Sequence, residues 1–430
     1  MIENENIKIR ITKKSAHLCN PLHGKIQQKD SKNYFYKLLS DIMKEPRVSI
    51  IILNWNGWKD TIECLESLYA IDYQNYDIIL IDNNSQDESI EMLNRYCQGQ
   101  IIVESKYQLI DVKNKPLKCY KYSEAKHNLR FNQSEYSEIP GNRKIILFLN
   151  NKNHGFSKGN NLGICFAQRY LKPDYVCLLN NDTIVERNWL KELIKGITSD
   201  KKIGSCSSKL LMYDDNKIIN STGIFIIRDG TGIDRGRNRL DENQFDKKTS
   251  IFGACAAGAI YSIDALNDAG ILDDDFFAYF EDVDLSWRLQ LFGWKCKFVP
   301  AAVVYHKYSK SSGASSLFKV CQGERNRIWV IVKNYPFIFL VIAFPYNLLK
   351  LILLFYYNLK GQGRGQLYSK EHSLKQILLT MFKGRVHAWI GIGKMIRKRK
   401  RIMKKKKVTN KQIKNWFEKY SIDLNEAAKS

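Results

Sequence analysis

The ten cysteines form no C-x-x-C pair and no Cys/His cluster at zinc spacing, which removes the zinc-ribbon and disulfide-framework classes. Free thiols in a reducing compartment are expected. No G-x-x-x-x-G-K-[ST] motif is present, so a P-loop is excluded. No secretory leader opens the sequence: residues 1–46 are polar and rich in Lys and Asn, and the body of the protein is expected in the cytosol. Long apolar runs are scarce too; only 334–359 comes close, with Lys350 as its single charge. Acid is missing from Lys394 to Lys407, which holds ten basic residues.

What is present looks globular. The chain has 430 residues, 44% hydrophobic and 26% charged, enough for two or three domains. A net charge of +24 implies attraction to nucleic acid, anionic lipid or phosphorylated substrate without choosing among them. The basic run follows a hydrophobic segment, which favours an anionic membrane surface over a solvated tail or a nucleic-acid site.

Strand-like runs alternate with helical ones. Val48–Leu53, Asp77–Ile81, Lys144–Leu149, Tyr175–Leu179 and Cys296–Tyr305 read as strands. Trp58–Ala70 and about Ser157–Tyr170 read as helices. This alternation predicts a parallel sheet with crossover helices, an α/β fold. Residues 104–143 read as a polar, aromatic insertion, and 200–250 as short strands and loops. Phe280–Phe292 reads as an amphipathic helix with Leu285, Leu289 and Phe292 on one stripe. Residues 334–359 are long enough to cross a bilayer, but Pro336, Pro345, Asn347 and Lys350 favour a broken or interfacial helix. Expected domains are a 1–46 extension, a 47–330 body, a 331–393 membrane-associated helical region and a 394–430 basic tail.

Chemistry concentrates at strand ends, where open α/β sheets bind ligands. Leu53-Asn54-Trp55-Asn56-Gly57 follows the first strand and Asp82-Asn83-Asn84-Ser85 the second. Their amides and carboxylate suit a nucleobase and ribose, although Asn and Asp also serve ordinary turns. In Asn153-His-Gly155-Phe-Ser-Lys158-Gly159-Asn160, two glycines precede a helix whose N–H groups can hold a polar ligand. Asn180-Asn181-Asp182 puts one carboxylate at a strand end, a candidate ligand for a divalent cation, with His306 as second ligand. Tyr308–Gly313 after it is a hydroxyl-rich loop able to fold over an anion. Glu281-Asp282-Val283-Asp284 puts three carboxylates at a helix start, where they also suit the macrodipole; helix geometry groups Glu281 with Asp284 and points Asp282 elsewhere, free to face a cleft as a candidate base.

The stretches VSIIILNWNG, LIDNNSQDES, NKNHGFSKGNNLGI, YVCLLNNDT, FGACAAGAIYSI, FFAYFEDVDLSWR and VYHKYSKSSG, in this order, resemble the family 2 glycosyltransferases of the GT-A fold, rhamnosyltransferase-like branch. The likeness spans about 47–330, omitting 104–143. It implies a Rossmann-like, mostly parallel central sheet flanked by helices, with a membrane-associating helical region after it. By resemblance, Asn54, Asp82 and Asn83, with Trp55 beside them, contact the donor nucleoside. Gly155, Lys158, Gly159 and Asn160 line the donor pocket. Asn180 and Asp182 stand at the metal-binding D-x-D motif, and His306 matches a metal-ligand histidine. Asp282, next to Glu281, matches the catalytic base. The D-x-D motif is thinned to one carboxylate. Gln322-Gly-Glu-Arg-Asn326 lacks the Q-x-x-R-W of processive synthases, which argues against a polymer-extruding enzyme.

The implied activity is inverting transfer from a nucleoside-diphosphate sugar, such as dTDP-rhamnose or a UDP-sugar, to a glycan or lipid-linked hydroxyl. Mn2+ or Mg2+ is the expected cofactor, an anionic membrane surface the expected partner, and nucleic acid is not expected. The place would be the cytoplasmic face of the membrane. Rival readings are a sugar-phosphate nucleotidyltransferase, whose Gly-rich basic loop is missing after the first strand, a basic nucleic-acid- or membrane-binding protein, and a catalytically silent sugar-binding relative.

Overall fold

The structure is a computed structural model and describes residues 45–102, 104–107, 114–124, 131–308, 316–360 and 371–429. The chain divides into Met1–Glu45 and Pro46–Ser430, and the second unit is the one described. The expected extension and most of the Tyr308–Gly313 loop lie outside the described residues. The first half of the unit runs β1 (Val48–Asn54), α1 (Trp58–Tyr69), β2 (Tyr76–Asp82), α2 (Ser89–Cys97), β3 (Lys118–Ser123), α3 (Gln133–Glu138), β4 (Lys144–Leu149), α4 (Gly155–Phe166), β5 (Tyr175–Asn180), β6 (Thr183–Val185) and α5 (Trp189–Thr198). Then come β7 (Ile203–Met212), β8 (Ile219–Ser221), β9 (Ile224–Ile226), β10 (Gly232–Asp234), β11 (Ser250–Ile251), β12 (Gly258–Ser262), α6 (Ile263–Ala269), α7 (Glu281–Leu291) and β13 (Lys295–His306). Five helices follow: α8 (Leu317–Asn334), α9 (Phe337–Leu359), α10 (Leu374–Lys405), α11 (Asn410–Lys419) and α12 (Leu424–Lys429).

The main sheet has the order β11-β13-β7-β12-β5-β1-β2-β4-β3. Pairings among β1, β2, β3, β4 and β5 are parallel, as is β7 with β13. The antiparallel strand β12 joins these two parallel parts, pairing with β5 on one side and β7 on the other. The mostly parallel α/β sheet expected from the sequence is therefore present. Helices cover both faces, so β1 and β2 are buried along nearly their whole length and read as continuous apolar runs without alternation. Two apolar clusters, one on each face, form the core.

Four elements differ from the sequence reading. The region read as short strands contains β7, ten residues long and buried. Helix α7 is buried on nearly every side instead of along one stripe. Its charged side is covered by α8: Asp284 accepts from Lys333, Asn334 and Arg288, whose guanidinium also donates to the carbonyls of Ala269, Gly270 and Ile271. Helix α9 is continuous through Pro345, whose ring is exposed. The basic run is no loose tail: α10 passes through residue 394 without a break and packs along α8, where Trp329 Nε1 donates to Ala388 O at 3.0 Å. Met395, Ile402, Ile413 and Phe417 belong to the core of the body.

Candidate active site

The carboxyl ends of β1, β2, β5 and β13 converge with the start of α7. Asn54 and Asp82 are ladder partners in parallel strands, so their side chains leave on the same side. Asn54 Nδ2 donates to Asp82 Oδ1 at 2.8 Å, and Asn54 Oδ1 accepts from Thr61 Oγ1 at 2.8 Å. Asn181 Nδ2 donates to Thr61 Oγ1 at 3.0 Å, which extends the chain of hydrogen bonds to the end of β5. Asp82 also accepts from the backbone and hydroxyl of Ser85. Asn83 accepts from Asn150 Nδ2 and the backbone N–H of His154 and donates to Asn153 and to Gly155 O. Asn54, Asp82 and Asn83 are buried. Their polar atoms are thus engaged in holding three strand-end loops together. Trp55, 40% exposed, is the side chain of this group that presents an open face.

The two glycines at the start of α4 have packing roles. Gly155 has φ +73°, and a Cβ there would lie 2.5 Å from Phe277 O. A Cβ on Gly159 would strike Leu53 Cδ1 at 2.6 Å, so this face of α4 lies against β1. Asn160 is buried and donates to Phe156 O within its own helix, whereas Lys158 is half-buried at the rim. His154 pairs with Glu124 at 2.9 Å, a partner from the insertion region that the sequence did not suggest.

At the end of β5, Asp182 Oδ1 lies 3.2 Å from His306 Nε2. The antiparallel pairing of β6 with β13 fixes this approach, because Thr183 is the ladder partner of His306. Asn220 Oδ1, which can only accept, lies 2.9 Å from His306 Nδ1, so the ring carries a proton there. Nε2 and a carboxylate oxygen at such a distance need positive charge between them, a proton or a cation. Asn180 Oδ1 is buried without a partner among the described residues, and its Nδ2 is 3.4 Å from His306 Nε2. Burial acts to raise the Asp182 carboxyl, but His306 and Lys307 together hold it below its ordinary value. Among the described residues no three His, Cys, Asp or Glu side chains gather as a metal site. The donor set is one carboxylate, one oriented imidazole and one amide oxygen. That set fits a divalent cation sharing its remaining positions with phosphate oxygens and water.

Asp282 lies in the first turn of α7. Its Oδ2 accepts from Ala256 N at 3.2 Å and its Oδ1 from Val283 N at 2.8 Å. Glu281 is buried and its Oε2 has no partner among the described residues. Burial raises both carboxyls. Asp282 repels Glu281, whereas backbone N–H groups partly offset the burial at Asp282 and Asp234 adds repulsion. Asp284 points into the core, as helix geometry requires.

The approach to Asp282 is strained. Phe277, Tyr279 and Phe280 have φ of 63°, 70° and 68°. Ala278 N donates to Phe276 O at 2.7 Å, closing a γ-turn about Phe277. Such backbone persists where neighbours over-determine it. The neighbour here is Asn326, fully buried on α8, whose Nδ2 lies 2.9, 2.9 and 2.7 Å from the carbonyl oxygens of Phe276, Ala278 and Tyr279. Arg325 adds bonds to Asp275 O and Phe276 O. One loop links the two chemical centres: Ala256 N binds Asp282, and Ala257 O accepts from Asn180 N at 3.1 Å.

Residues 49–115 match the model of glycosyl transferase family 2, and residues 175–360 match that of glycosyl transferase family group 2. The chain belongs to glycosyl transferase family 2. Within the family, rhamnosyltransferase WbbL of Escherichia coli (strain K12) is 24% identical over 179 residues, covering 39% of this chain and 66% of that one. Poly-beta-1,6-N-acetyl-D-glucosamine synthase of Staphylococcus aureus (strain MSSA476) is 21% identical over 283 residues, covering 63% of this chain and 55% of that one. The chain thus spans less than two thirds of either relative's length. Among solved structures, mannosyltransferase PcManGT from Pyrobaculum calidifontis in complex with GDP-Man and Mn2+ is 12% identical, covers 91% of this chain and 95% of that one, and has a TM-score of 0.45, too loose a likeness to argue from. Asn220 and Asn326 were not singled out from the sequence. Asn220 lies in no motif, Asn326 entered only as a departure from Q-x-x-R-W, and each acts through a partner nearly fifty or more residues away. Arg237 was missed as well: it lies 4.2 Å over the Tyr308 ring, with a buried Nε that has no partner among the described residues.

Proposed function

We propose that this family 2 member transfers a sugar from a nucleoside-diphosphate sugar to a hydroxyl of a glycan or lipid-linked acceptor, with inversion at the anomeric carbon. The observation that carries the reading is the Ala256–Ala257 loop, which is bonded both to Asp282 and to the strand end bearing Asn180 and Asp182. A base and a phosphate-side centre held by adjacent peptide units suit a displacement in which one group is activated as another departs.

In this reading Asp282 accepts the proton of the acceptor hydroxyl as its oxygen bonds to the anomeric carbon and the bond to the diphosphate breaks. Its raised proton affinity strengthens it as a base. Ala256 N–H and Val283 N–H orient the carboxylate. Glu281, buried and mostly protonated beside it, keeps a second negative charge away. Asn180, Asp182 and His306 would hold Mn2+ or Mg2+, which supplies charge neutralisation at the leaving diphosphate. Arg237 is a second cation on the same side, and Trp55 offers a face for the nucleobase. Rhamnosyl transfer is the favoured branch because the WbbL likeness and the sequence motifs agree on it. A role in polysaccharide biosynthesis at the cytoplasmic face of a membrane completes the proposal.

The test is a panel of nucleotide sugars, including dTDP-rhamnose and UDP-sugars, scored for thermal stabilisation and for release of nucleoside diphosphate, with and without Mn2+. One donor should raise the melting temperature and be hydrolysed slowly without acceptor. No response from any donor would overturn the proposal. His306→Gln should cut the Mn2+ response more than it cuts donor binding.

A further inference from the structure

The helix Phe337–Tyr357 is long and apolar enough to cross a membrane by length and composition. Its contacts point elsewhere. Near its midpoint Lys350 Nζ lies 2.9 Å from Asp229 Oδ2 and 2.6 Å from Thr231 Oγ1, and Asp229 is fully buried in the body. Tyr346, one turn before, accepts from Arg228 at 2.5 Å. Tyr357, two turns later, donates to Asn425 at 3.3 Å. Tyr346, Lys350 and Tyr357 lie on one side of α9, at spacings of four and seven. A helix fastened to a globular body along its length cannot stand across a bilayer, since the body would have to enter the hydrocarbon with it.

The opposite side of α9 is bare. Phe337, Val341, Phe344, Leu348, Ile352 and Phe355 are each more than half exposed and fall on one stripe. Helix α10 repeats the pattern. One side carries Ala388, Met395 and Ile402 into the core. Another carries Leu374, Leu378, Phe382, Trp389 and Ile390, exposed by 50, 55, 66, 68 and 79%. The same outer stripe then changes character. Beyond Gly393 it continues as Arg397, Lys400, Arg401 and Lys404, all exposed and without an ion pair among the described residues. Other basic residues of this run, exposed or not, are engaged with the body: Lys394 and Lys398 bind Asp275, Arg399 donates to Val332 O and Tyr335 O, and Lys407 binds Asp268.

We propose that α9 and the first half of α10 lie flat in one leaflet of an anionic bilayer, while the outer cations of the second half of α10 rest on its headgroups. The inference deepens the membrane association proposed above, and it names the surface and the manner of docking. An apolar stripe running into a cationic one along a single helix matches the order of acyl chain and phosphate at a leaflet surface. A second protein copy would explain the apolar part but would place four unpaired cations against their own kind.

The experiment uses the full chain with phosphatidylcholine vesicles, with and without phosphatidylglycerol. Flotation should require phosphatidylglycerol. F382S/W389S/I390S should leave the melting temperature unchanged and weaken flotation by more than about tenfold. K400E/K404E should abolish the preference for phosphatidylglycerol. A Leu348→Trp reporter near the middle of α9 should be quenched most by bromines placed high on the acyl chains. Strongest quenching at the bilayer centre would establish a spanning helix and overturn the proposal. So would unchanged flotation of both variants, or a dimer that the triple variant dissolves. Donor hydrolysis in vesicle-free buffer separates the two readings: its persistence when docking fails leaves the catalytic proposal standing.

Discussion

Asp282 illustrates what burial does at a single residue. Its carboxyl is pushed up to about 6, above the unfolded carboxylate range. The folded state therefore binds more protons than the unfolded one between those values, and stability falls as pH climbs through that window. Above it the full destabilisation is present. Asp282→Asn should accordingly raise the melting temperature at pH 8 while lowering turnover by about 10²–10⁴-fold with donor binding retained. Calorimetry beside single-turnover kinetics checks both halves, and unchanged turnover would remove Asp282 from the base role. In the native protein kcat/KM should climb as pH rises through about 6, and this limb should be missing from the residual rate of Asp282→Asn. Asn326→Leu takes the amide away from the carbonyls of Ala278 and Tyr279, whereas Phe276 O keeps Ala278 N and Arg325. A loss of about 2–4 kcal/mol in denaturant unfolding is expected. Turnover should fall more than donor affinity, because the γ-turn that aims Asp282 is released.

The elements show how far a single sequence can be read. The alternation of Val48–Asn54, Trp58–Tyr69 and Tyr76–Asp82 announced a parallel sheet because strands covered on both faces must be apolar throughout. Asp182, His306 and Asp282 stood out in the sequence because such groups at strand ends and helix starts are costly to bury, and the structure places Asp182 beside His306. Asn54, Asp82 and Asn83 were legible as important residues, and the structure gives them loop-fixing bonds that local spacing does not reveal. Helix α7 was misjudged for a related reason. It was read as amphipathic, with one apolar stripe, whereas α8 supplies Lys333 and Asn334 to its charged side. Lys333 is nearly fully buried between Asp273 and Asp284. Lys333→Met should cost about 1.5–3 kcal/mol in urea unfolding, since it removes the cation the two acids share but leaves Asp284 to Arg288 and Asn334 and Asp273 to Lys398. Removal of an exposed pair such as Lys295–Asp200 should leave stability almost unchanged.

On the scale of the whole molecule, the C-terminal helices are part of the body. Trp287 packs against Tyr335, Trp416 and Phe417, which joins α7, α8 and α11 in one aromatic cluster. Truncation after residue 370 should therefore yield aggregated protein rather than a soluble enzyme, measurable by size-exclusion chromatography of the purified fragment. The net charge of +24 is divided between cations that bind the body and cations that face outward. Only the second set should respond to ionic strength, so vesicle binding should weaken between low and physiological salt while the melting temperature stays level.

The pairing of Thr183 with His306 sets a rule for how this chain can vary in length. Side chains on a strand alternate faces, so one inserted residue between Val303 and His306 would swing the imidazole to the far side of the sheet, and one between Thr183 and Val185 would shift the pairing that brings Asp182 to it. Relatives that keep this chemistry should hold those two spacings constant and place their insertions and deletions elsewhere, for instance between β10 and β11.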